Sequence, residues 1–264
     1  MTAARHTTSS GVSYRRRGAG RPIVFLHGWC LNGALWTYEE DLLAADHDVI
    51  TPDLPGFGRS DGVAGPYDMD AYVAALLELL EETGVRDAVL VGFAFGADVA
   101  LSAAVRDDTR LAGLVLAGIT SGAQFPADKM IRSMRRDWPD FARRSAQVLC
   151  RPPQSEATRD WVERMFSGSQ LHVGTEVAEL LGTFEPSPLA SQLALPALFV
   201  HGANDDVSSP DLSRVCSEAA PQGQLAVLED CGHLLVLDQR SAFHDAVASF
   251  LADLPALPDS PRSN

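Results

Sequence analysis

The chain has 264 residues, 46% hydrophobic and 21% charged, a balance that excludes a disordered chain and supplies ample apolar surface for a core. With 21 Lys plus Arg against 35 Asp plus Glu, its net charge of −14 repels phosphate backbones and anionic lipid heads, so neither a nucleic-acid nor a membrane-surface partner is expected. The length suits one α/β domain carrying an insertion. Residues 1–11 are polar and lack the apolar run of a secretory signal, and no stretch of 18 or more apolar residues suggests a transmembrane helix. The four cysteines, Cys30, Cys150, Cys216 and Cys231, are too scattered for a disulfide scaffold or a zinc site. A reduced, cytoplasmic setting is the expectation.

Taken in order, short runs rich in Val, Ile and Leu occur at 23–26, 49–50, 88–91, 111–116, 197–200 and 225–228. Continuous apolar runs without alternation suit strands covered on both faces, hence a mainly parallel sheet. Between the second and third runs, Val73, Leu76, Leu77 and Leu80 predict a helix over 69–83, stopped by Gly84. Alternating strands and helices make a doubly wound α/β architecture. The rhythm breaks over 121–193, where no strand-like run occurs. Met130, Ile131, Met134, Trp138 and Phe141 share one helical face there, and Pro139, Pro152, Pro153, Pro186 and Pro188 punctuate the segment. It reads as a helical lid inserted into a core of 1–120 and 194–252, with 253–264 as a flexible tail.

The stretch with the most chemical content runs from Val89 to Asp98. A strand enters a Gly92-x-Ala94-x-Gly96 turn and a helix begins near Phe95. The spacing is that of a nucleophile elbow, a turn so tight that small residues must flank a strained central position. The central residue here is alanine, whose methyl has no lone pair. Four other pieces accompany the turn: His27-Gly28-Trp29-Cys30, the run from Asp53 through Pro55, Gly56 and Gly58 to Ser60, His201-Gly202-x-x-Asp205, and Gly232-His233.

Together these pieces resemble the α/β-hydrolase family over about residues 13–251. The resemblance implies that family's fold, with a nucleophile, acid and base in chain order at position 94, Asp205 and His233. It also implies an oxyanion hole formed by the backbone N–H groups of Trp29 and Phe95. The expected activity is hydrolysis of a carboxylic ester, lactone or thioester through an acyl-enzyme, without metal or organic cofactor. The departure is at position 94, where the family usually has serine. Either Ala94 is an inactivating serine-to-alanine substitution, or it is native. In the second case the His233–Asp205 dyad serves as a general base for elimination, cyclisation or isomerisation, or the chain is a ligand-binding pseudoenzyme.

Each candidate has a plainer reading. Asp206 rivals Asp205. His27 and His201 read as packing and hydrogen-bonding residues, although His27 also stands where a pocket wall is expected. Cys30 and Cys231 could supply a substitute thiolate, or be small buried hydrophobes. A substrate pocket is expected from His27, Cys30, Phe93, Phe125, Trp138, Phe141, Trp161 and Leu234, with Trp29, Phe95 and Phe166 as further aromatics. It suits a medium-sized, largely apolar small molecule. Lys129, Arg132, Arg135, Arg136, Arg143, Arg144 and Arg151 either attract an anionic substrate or carrier, or form a solvated helix face. Monomer and homodimer stay open.

Overall fold

The computed structural model describes residues 4–150 and 152–256. Its centre is an eight-stranded sheet: β1 (Ala4–Thr7), β2 (Ser13–Gly18), β3 (Arg21–Leu26), β4 (His47–Pro52), β5 (Ala88–Phe93), β6 (Leu111–Ala117), β7 (Ala197–Gly202) and β8 (Gly223–Leu228). The spatial order is β1-β2-β4-β3-β5-β6-β7-β8. β1 and β2 are antiparallel to each other, β2 is antiparallel to β4, and all remaining pairs are parallel. The six apolar runs are β3 to β8. Residues 23–26 and the whole of β5 are buried, as expected of strands covered on both faces.

β1 and β2 lie outside the expected set. β2 reads Ser-Tyr-Arg-Arg-Arg-Gly, without an apolar run, because it lies near the sheet's edge. There Arg15 donates to Glu40 at 2.7 and 2.9 Å, and Arg16 to Asp48 at 2.6 and 2.9 Å.

Helices α1 (Thr37–Leu43), α2 (Met69–Glu82), α3 (Phe95–Arg106), α9 (Pro210–Ala219), α10 (Leu235–Asp238) and α11 (Arg240–Asp253) accompany the sheet. α2 begins where Asp68 accepts the Ala71 N–H, and ends before Gly84 at φ +68°, close to the expected bounds. Between β6 and β7 lie α4 (Ala127–Arg136), α5 (Trp138–Leu149), α6 (Glu156–Ser167), α7 (Leu171–Leu181) and α8 (Pro186–Ala190), with no strand among the described residues. The face expected to be one continuous helix is two. Asp137 closes α4 and caps α5 by accepting the Asp140 N–H. α4 packs on α7 and α5 on α6, whereas α8 packs on α3 and α9, so the end of the insertion rejoins the core.

The first two residues of the expected tail are part of the folded core, because α11 runs to Asp253 and Leu254 is buried. Residues 257–264 of the expected tail, and Arg151 of the basic set, lie outside the described residues. No described helix is long and apolar enough to cross a membrane.

Two glycines let α3 reach the sheet. A Cβ on Gly92 would lie 2.4 Å from the Gly96 carbonyl oxygen, and one on Gly96 would lie 2.3 Å from that of Leu26. Both obstacles are backbone and cannot turn aside. Gly96→Ala is therefore expected to destabilise the fold by about 1–3 kcal/mol or more, read as a lower urea midpoint at unchanged slope. An unchanged midpoint would refute this account of the turn.

Candidate active site

Ala94 sits between β5 and α3 at φ 48° and ψ −117°, outside the regions L-residues favour. Such a conformation costs on the order of 1–3 kcal/mol and persists only where its surroundings impose it. Here the Ala94 N–H donates to the Ala117 carbonyl at 2.8 Å. Its own carbonyl accepts from Ala97 at 2.8 Å and Asp98 at 3.1 Å. The strained residue is thus fastened to β6 on one side and to the first turn of α3 on the other. Its methyl lines a cavity of about 360 Å³.

The same cavity is lined by His233, which follows β8. His233 Nδ1 is 2.7 Å from Asp205 Oδ2, so Nε2 is the ring nitrogen left for a ligand. Asp205 lies in the loop after β7, its side chain sealed from solvent. Its Oδ1 accepts the Val207 N–H at 2.8 Å and the Ser208 N–H at 3.1 Å. Its Oδ2 lies 3.0 Å from His201 Nε2 and accepts the Ser208 hydroxyl at 3.3 Å. Burial pushes the carboxyl upward, but the hydrogen bonds from His201 and His233 outweigh it and hold Asp205 well below the usual carboxylate range. Of the two adjacent aspartates, Asp205 is the one paired with His233.

These groups gather because the cavity lies beyond the C-terminal ends of the parallel strands. Trp29 follows β3, Ala94 follows β5, Thr120 follows β6, Val207 and Ser208 follow β7, and His233 follows β8. Open α/β sheets place ligands at that edge.

Of the expected pocket residues, Phe93, Phe125 and Phe141 line the cavity, with Trp29, Phe95 and Phe166. His27, Cys30, Trp138, Trp161 and Leu234 do not. His27 is sealed, accepting the Leu54 N–H at Nε2 and bonding the Gly28 carbonyl through Nδ1, and burial, against the pull of Asp53, lowers its pKa. Cys30 is fully buried, beside Gly174. Trp138 stacks on Phe141, a lining residue, with ring centres 5.8 Å apart. Trp161 packs on the core and Leu234 is interior.

Burial also drives up the thiols of Cys30 and Cys231, the latter to about 12 with help from Asp238 and Asp205, so neither is a ready thiolate. The lining residues that the sequence does not single out, among them Leu31, Thr120, Ser121, Gln124, Val207 and Ser208, come mostly from irregular loops, where no periodicity marks an inward face.

Trp29 joins this floor to its cover. Its indole N–H donates to the Gly174 carbonyl of α7 at 3.0 Å. Its ring meets Phe125, Phe141 and Phe166 edge-on, at 5.6, 5.9 and 6.2 Å between centres. Polar groups collect at the rim, where Lys129 and Ser133 of α4 face Arg144 of α5. Arg144 donates to Ser133 and to Asp140, each at 2.8 Å.

Beneath the cavity lies a second acid. Asp98 is fully buried and bonds both the backbone N–H and the hydroxyl of Thr120. Burial raises its pKa well above the ordinary value, against the hydrogen bonds from Thr120. A carboxyl whose folded pKa is raised favours folding at low pH and opposes it increasingly above its unfolded value. Asparagine can donate to the Thr120 hydroxyl and accept its N–H. Asp98→Asn is therefore expected to match the parent in acid and to melt higher at mildly alkaline pH. An equal or lower melting temperature there would show that Asp98 is folded as the anion.

A family model described as "Alpha/beta hydrolase family" matches residues 23–246. The chain is 28% identical to a 2-hydroxymuconate semialdehyde hydrolase of a Pseudomonas species, covering 90% of this chain and 89% of that one. It is 26% identical to a non-heme chloroperoxidase of Kitasatospora aureofaciens, covering 93% and 98%. Among solved structures, an esterase from Exiguobacterium antarcticum superposes with a TM-score of 0.88 at 22% identity, over 96% of this chain and all of the other.

Proposed function

This chain belongs to the alpha/beta hydrolase family, and on that footing we propose that its site is built to hydrolyse a carboxylic ester, lactone or thioester, and that Ala94 disarms it. The observation that carries this reading is the pairing, in one cavity, of a strained residue at 94 with the His233 nitrogen that Asp205 leaves free. Such strain has a use when the residue presents a reactive group, and a methyl presents none.

With serine at position 94, the hydroxyl would pass its proton to His233 Nε2 as its oxygen bonds the acyl carbon. Asp205 would steady the resulting imidazolium. The N–H groups of Trp29 and Phe95 would donate to the carbonyl oxygen as it gains charge. The leaving oxygen or sulfur would take the proton from His233, and water would repeat the sequence to free the acid. Helices α4 to α7 act as a lid. Aromatic walls suit a largely apolar substrate, and the rim at Lys129 and Arg144 suits one with an anionic end.

A fluorophosphonate probe tests the reading. The parent chain should remain unlabelled, Ala94→Ser should be labelled, and adding His233→Ala should abolish the labelling. A folded Ala94→Ser protein that no such probe labels would overturn it.

A further inference from the structure

We propose that His201 is a positioning residue for this site, its Nε2–H holding the Asp205 carboxylate as an anion aimed at His233. The inference rests on Asp205 as the acid of the site. His201 sits near the end of β7 and has no solvent exposure. Its Nε2 is 3.0 Å from the Ser208 carbonyl oxygen and 3.0 Å from Asp205 Oδ2. Both are acceptors, and the Ser208 hydroxyl, 3.3 Å from Nε2, gives its own hydrogen to Asp205, so Nε2 carries the ring hydrogen. At the other end of the ring, Nδ1 lies 2.7 Å from the Ser213 hydroxyl of α9. The imidazole is clamped between a strand, a loop and a helix, and its donor edge faces the carboxylate.

One oxygen, Oδ2, thereby serves two imidazoles, since His233 Nδ1 approaches it at 2.7 Å. The backbone amides of Val207 and Ser208 fix Oδ1. Of the two ring donors, His233 borders the cavity, whereas His201 is built into the sheet. A sealed carboxylate needs donors that outlast each change at its working partner, and His201 is placed to be one. The titratable groups acting on Asp205 are His201 from β7 and His233 from the loop after β8. Asp206 adjoins it in its own loop, and Cys231 lies within its field. α9 contributes the neutral Ser213 hydroxyl through His201.

A residue that merely filled space could be replaced by phenylalanine, whereas a donor could be replaced only by another donor. The test uses the chain as it stands, with Ala94 in place. Imidazole N–H protons are followed by proton and nitrogen-15 NMR as the pH is lowered. In the parent, the His233 Nδ1–H signal should persist far into acid. In His201→Phe it should vanish at distinctly higher pH, because Asp205 has lost a donor and accepts a proton sooner. His201→Gln should restore part of the parent's range. Ser213→Ala, which loosens the ring without removing it, should fall between parent and His201→Phe, and covers the case in which His201→Phe does not fold.

In the Ala94→Ser background, His201→Phe should lower kcat and leave KM nearly unchanged, by less than the ~10⁴ that loss of the acid itself costs. Identical acid behaviour of the His233 proton in the parent and in a folded His201→Phe protein would overturn the proposal. So would identical behaviour in Ser213→Ala if His201→Phe is unfolded. If the NMR results hold while Ala94→Ser hydrolyses nothing, hydrolysis fails and the role of His201 stands.

Discussion

Ala94→Ser is expected to raise ester turnover by on the order of 10⁶, the scale of loss when a serine hydrolase is stripped of its nucleophile. One oxygen atom is added, and the rest of the arrangement stands. The backbone already holds position 94 at φ 48°, its methyl already faces the cavity, and His233 already has one nitrogen engaged by Asp205. Serine fits the same backbone as alanine, so stability should change little. The measurement is release of p-nitrophenol from a short-chain ester by the parent and the variant, each checked for folding. A variant that folds like the parent yet stays at the parent's rate would show that the geometry at 94 serves something other than acyl transfer. Turnover by the parent itself, abolished by His233→Ala, would instead favour a dyad in which the imidazole works alone as a base.

The second large effect is expected at Asp205. In the Ala94→Ser background, Asp205→Asn should lower kcat by about 10⁴, because an amide cannot stabilise the imidazolium as a carboxylate does and can hold the ring in the wrong tautomer. The same substitution has a signature in stability. Asp205 is held below the ordinary carboxylate range, so its ionised form adds stability above the unfolded value and loses it as the pH falls through the folded one. The parent should melt higher than Asp205→Asn at neutral pH, and the gap should narrow as the pH falls below about 4. A gap that widens in acid would mean the carboxyl is neutral in the folded state.

How far the amino-acid sequence alone reveals each piece depends on how tightly that piece is constrained. β3, β5, β6 and β7 are legible because strands covered on both faces are apolar almost throughout, whereas β8 shows the same kind of run although it lies at the sheet's edge and is largely half-buried or exposed. The turn at Ala94 is legible because Gly92 and Gly96 are the only residue type its close contacts admit. Asp205 and His233 are legible by resemblance, and the fold pairs them. β2 is not legible, since a strand that offers arginines to Glu40 and Asp48 carries no apolar run. The break at Asp137 is hidden because Met130, Met134 and Phe141 keep helical spacing across it. Cavity loops such as 120–124 and 207–208 have no period at all. His201 reads as packing because its partner, four residues on, meets it only when the loop folds back.

The bond from the Trp29 indole to Gly174 ties together two things that a swinging cover would separate. Trp29 heads the loop after β3 and lines the cavity beside Ala94, and Gly174 belongs to α7. A hinged opening of α7 would break that tie and unsettle the loop just as cargo arrived. The cavity also reaches the exposed side chains of Lys129 and Arg144, and passage there asks for none of this. If molecules come and go past those two cations the roof stays bolted, and fit to that border, as much as fit to the walls, would decide what reaches position 94.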